Sequence, residues 1–112
     1  MEEQMSPPEQ ARALQMQLAT LLSAVDIEAL PAAPRETLTQ LKRLAGDLRL
    51  DVRDFMLADS KAEQTRLGTE AAARLKQLEK TIAKAGELGH FGAADVAHLT
   101  AVSQQLLADL QE

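Results

Sequence analysis

Apolar residues recur along the chain at intervals of three and four. Ala11, Leu14, Leu18, Leu21 and Val25 form the first such series, and that spacing lays them along one face of a helix. A longer series, Leu38, Leu41, Ala45, Leu48, Val52 and Phe55, repeats three, four, three, four, three without a fault. Ala71, Leu75, Leu78, Ile82 and Ala85 make a third stripe, and Val96, Leu99, Val102, Leu106 and Leu110 a fourth. The pattern predicts four amphipathic helices, at about 7–25, 35–58, 61–87 and 93–110.

Start and stop signals support these limits. Ser6-Pro7-Pro8-Glu9 and Ser60-Lys61-Ala62-Glu63 both read as capping boxes, the first with proline at the opening helical position. Ile27 to Leu30 predicts a short helical turn. Pro31-Ala32-Ala33-Pro34 predicts a loop, because each proline disfavours helix at the residue before it. Gly86 and Gly89 mark the end of the third helix. Residues 1–5 are expected to form a disordered tail, and residues 6–112 a single all-helical domain.

The stripe fails between Asp59 and Arg66, yet no glycine or proline stands there. Two architectures follow. The chain turns at this point, giving an antiparallel bundle of about four helices with a long central hairpin. Alternatively, the second and third helices fuse into one long rod that dimerises as a coiled coil. Leu44, Leu50, Met56 and Leu57 broaden the second helix beyond a coiled-coil seam, which favours several neighbours and hence the bundle.

Composition narrows the class. There are 20 alanines and 19 leucines, but only four valines, two isoleucines, two phenylalanines and no tyrosine or tryptophan. Alanine and leucine head the helix scale, whereas strands draw on β-branched and aromatic residues. An all-β or parallel α/β domain is excluded on that ground. Apolar residues at 46% and charged residues at 26% are ordinary for a globular chain. The chain has no cysteine, so it has no disulfide, thiolate nucleophile or cysteine-based zinc site. No apolar run approaches the length of a membrane span. The opening Met1-Glu2-Glu3-Gln4-Met5 is acidic where a signal peptide is basic, and the expected location is cytoplasmic.

The net charge of −5 is unevenly distributed. Residues 1–34 sum to −4, residues 35–84 to +3 and residues 85–112 to −4. On the second helix, Lys42, Arg49 and Arg53 line one edge of the apolar stripe, and Asp47, Asp51 and Asp54 the opposite side. Like charges four apart repel within an isolated helix, so single-sign edges suit a helix with charged neighbours. Lys76, Lys80 and Lys84 form a basic row on the third helix. An acidic total, no interleaved aromatics and no recognition motif argue against nucleic acid as their partner.

Catalytic chemistry has little material. The two histidines are His90, in a glycine-rich loop, and His98, three residues after Asp95; their spacing matches no recognised metal motif. No phosphate-cradling glycine loop or nucleophile elbow occurs. We therefore expect no catalytic residue, no metal and no cofactor.

The expected function is a non-enzymatic protein-interaction module, an adaptor, chaperone or regulatory subunit acting through exposed helix faces. Leu44, Leu50, Leu57 and Phe91 are the expected apolar contacts, with Lys42, Arg49 and Arg53 as a polar rim. Phe91 has a competing role as a plug at one end of the bundle. Met5, Met16 and Met56 read as gap fillers. The expected partner is another protein or a second copy of the chain. Self-assembly as a structural protein is the alternative, and nucleic-acid binding through a basic helix edge ranks third.

Overall fold

The computed structural model describes residues 6–111; the expected N-terminal tail at residues 1–5 lies outside them. Four helices run α1 (Pro7–Ser23), α2 (Ala32–Met56), α3 (Lys61–Glu87) and α4 (Ala93–Leu110), with a short 3-10 turn at Ile27–Ala29 between the first two. Each helix packs on the next and α1 closes against α4, forming a four-helix bundle. The described residues contain no strand.

Local chemistry explains most of the boundaries. At the start of α1, Glu9 Oε1 accepts from the Ser6 backbone N–H at 3.3 Å and from Ser6 Oγ at 2.8 Å. α3 opens where Ser60 Oγ accepts from the Glu63 N–H at 3.1 Å. That cap makes the corner after α2, so the hairpin forms and the continuous rod does not. α3 closes at Gly89, whose φ of +84° falls in the left-handed region that favours glycine. There the Gly89 N–H donates to the Gly86 carbonyl and the His90 N–H to the Ala85 carbonyl, both at 3.1 Å. This double bond pattern caps otherwise open carbonyls.

The stretch Pro31–Pro34 differs from expectation. It is not a loop: α2 already begins at Ala32, with Pro31 as its cap. Pro34 occupies the third helical position, where a backbone N–H has no partner inside the helix, so its absence costs little. The first such bond, Arg35 N–H to the Pro31 carbonyl, measures 3.0 Å. α1 and α2 also each end two residues before the expected limits at residues 25 and 58.

The four stripes meet in one core. Leu14, Leu18, Leu38, Leu41, Leu48, Leu75, Leu78, Ile82, Leu99 and Leu106 are all essentially inaccessible. Buried Thr37, Thr81 and Ser103 donate to carbonyls four residues back in their own helices. This satisfies their hydroxyls without a cross-chain partner. Gln10, also buried, ties the ends of the bundle by donating from Nε2 to Asp109 Oδ2 at 2.8 Å. No helix among the described residues is long and apolar enough to cross a membrane.

Candidate interaction surface

The charge edges of α2 have different fates. Arg74 of α3 reaches across the hairpin and donates to Asp51 and, at 3.2 Å, to Asp47. One guanidinium thus offsets the like-charge pair that an isolated α2 would leave repelling. The basic edge borders α1 and gains no such partner. Arg49 Nη1 donates to the neutral Gln15 Oε1 at 2.7 Å. Among the described residues no carboxylate lies within 4.0 Å of Arg12, Lys42, Arg43 or Arg49. Arg53 lies 3.4 Å from the exposed carboxylate of its neighbour Asp54.

These cations surround an open groove of about 800 Å³ between α1 and α2. Arg12 and Gln15 stand on its α1 side; Lys42, Gly46, Leu50 and Arg53 are on its α2 side. Glu9 and Asp47 are its acidic residues. The groove continues along the same seam into an apolar cleft of about 220 Å³ lined by Met16, Ala19, Leu22 and Ala45. Gln15 and Lys42 belong to both parts. No protein-family model matches the chain, and neither a curated protein nor a solved structure is significantly similar to it.

Four of the seven expected contact residues, Lys42, Arg49, Leu50 and Arg53, come together in this groove, and a fifth, Leu57, is exposed just past the end of α2 without lining it. Lys42, Arg49 and Arg53 are exposed on α2. Leu50 is 51% and Leu57 69% accessible, a high exposure for leucine on a helix that also has a large buried face. The other two require correction. Leu44 is buried with the core stripe, and Phe91 is buried as part of the same core; neither is a surface contact. Phe91 turns inward after the Gly89 cap and takes the plugging role. The methionine expectation is also corrected: Met16 and Met56 are about half exposed rather than filling gaps, while Met5 lies outside the described residues.

Sequence reasoning missed Arg12, Arg43 and Gly46 as groove residues. Arg43 stands beside Lys42 in sequence and was accessible to the same helical-face argument. Arg12 was not, because only the packing of α1 on α2 brings it to this edge.

The remaining polar chemistry is scattered. His98 is exposed, His90 is half-buried, and among the described residues no three histidine or acidic side chains converge on a metal-sized site. Lys76, Lys80 and Lys84 form the exposed row expected on α3. A depression of about 530 Å³ over Phe55 and Gly68 has Lys61 and Lys76 as its ionisable lining. Glu79 has its carboxyl raised above the ordinary 4.5 because burial disfavours the charge, and Lys76 opposes that shift in part.

Proposed function

We propose that this chain is a non-enzymatic protein-interaction module whose working surface is the face shared by α1 and α2. One observation carries the reading. Exposed Leu50 and the capping Leu57 share the outer side of α2 with Lys42, Arg49 and Arg53, while Asp47 and Asp51 on the acidic edge of the same helix are engaged within the chain by Arg74. Apolar residues framed by cations, of which Lys42 and Arg49 have no carboxylate partner among the described residues, combine affinity with orientation. A two-fold pairing of two copies through this face would set cation against cation, so the reading favours a different protein over a homodimer.

The test compares capture of partners from the source cells by the native chain, by Arg49→Glu/Arg53→Glu and by Leu50→Ser/Leu57→Ser. All four positions are exposed, so circular dichroism should be unchanged. A protein retained by the native chain and lost by both variants supports the reading. Equal retention by all three overturns it.

A further inference from the structure

We infer that the α1/α2 groove receives an acidic amphipathic helix from the partner protein, with one of its apolar side chains seated over Gly46. The inference rests on the interaction-module reading and adds the chemistry of the partner. Gly46 stands mid-way along the 25-residue α2, where glycine is a poor helix former. The chain's other helical glycines have a packing reason. A Cβ at Gly68 would come within 2.9 Å of Phe55, and one at Gly86 within 2.8 Å of Val96. At Gly46 the nearest atom would be Gln15 Nε2 at 3.6 Å, an ordinary contact. Nothing inside the fold requires that missing side chain. Its effect is a depression in the groove floor beside Leu50.

Charge and shape choose the occupant. Arg12, Lys42, Arg43 and Arg49 lack carboxylate partners among the described residues and call for acidic groups. The apolar continuation past Met16 and Ala19 calls for carbon, which a phosphate backbone does not supply. No aromatic side chain lines the groove to stack a base. The concave floor suits a helix laid along two others better than a flat lipid surface. Along α2 the groove runs from Lys42 to Arg53, about 16 Å at about 1.5 Å per residue, room for roughly three turns of the incoming helix.

The probe is a labelled Glu/Leu peptide of about 16 residues, with leucines three and four apart. Its controls are the Lys/Leu counterpart, single-stranded DNA of similar length and phosphatidylglycerol vesicles. The Glu/Leu peptide should shift backbone amide resonances of α1 and α2 along the groove, and bind more weakly as salt rises. Arg49→Glu/Arg53→Glu should abolish binding. Gly46→Leu should weaken it about tenfold or more, the scale of excluding one packed apolar side chain. Gly46→Ala, which fits the fold, should weaken it less while raising the melting temperature.

Equal binding of the Lys/Leu peptide, tighter binding of DNA or vesicles, absence of groove shifts, or full binding by both Gly46 variants would overturn the inference. The two readings fail separately. A captured partner that needs Leu50 and Leu57 but presents no acidic helix refutes this inference and leaves the module. Peptide binding with partner capture unaffected by either surface variant refutes the module reading.

Discussion

A Cβ added at Gly68 would lie 2.9 Å from Phe55 Cε1 and 3.1 Å from the Leu110 carbonyl oxygen, closer than packed atoms tolerate. Gly68→Ala should therefore destabilise the bundle by about 1–3 kcal/mol. Gly46→Ala should act in the opposite sense, stabilising α2 by about 0.5–1 kcal/mol. Urea midpoints of the two variants check the contrast in a single assay. Glu79 supplies a pH-dependent counterpart. Its folded carboxyl titrates above 4.5 because burial disfavours the ionised form. The protonated group's contribution to stability is complete below the unfolded value and is lost as pH rises through the folded one. Glu79→Gln should thus stabilise the protein at neutral pH, with an advantage that fades as pH falls toward 4.5. An advantage that instead grew on acidification would contradict the burial argument.

Among the elements, the α2/α3 corner turns without glycine or proline because Ser60 caps the next helix. Ser60→Ala should cost about 1 kcal/mol, read from chemical denaturation with the helical spectrum retained. Across the same hairpin, Arg74→Ala leaves Asp47 and Asp51 repelling each other. The expected loss is about 1–2 kcal/mol, and it should shrink when Asp51→Asn is added, because neutralising one of the two charges removes that repulsion. A loss unaffected by Asp51→Asn would assign Arg74 a packing role instead. The elements themselves were legible because three-and-four spacing and capping boxes act locally. Pro34 was misread for an equally local reason: the rule that proline ends helices yields at a first turn, where no intrahelical bond is broken.

At the scale of the molecule, the helices are arranged so that Asp47 and Asp51 of α2 find Arg74, while Lys42 and Arg49 find no carboxylate among the described residues. If the α1/α2 face serves a different protein, the isolated chain should sediment as a monomer at moderate salt, because self-pairing there opposes like charges. A salt-independent dimer broken by Leu50→Ser/Leu57→Ser would assign this face to self-assembly. Leu44 and Leu50 show why a helix's own sequence did not settle its surface. Both broaden the same apolar stripe, but α2 has neighbours on two flanks, and their positions decide that one leucine is covered and the other left at 51% accessibility. Phe91 is the same lesson in a loop, since the Gly89 cap aims the following residues back at the core. The sequence alone determined the helical class, the four stripes and the caps, all of which depend on residues within a turn or two of each other. The groove, the pairing of Arg74 and the gathering of cations beside Arg12 were decided only by tertiary packing, because they join residues that no local spacing relates.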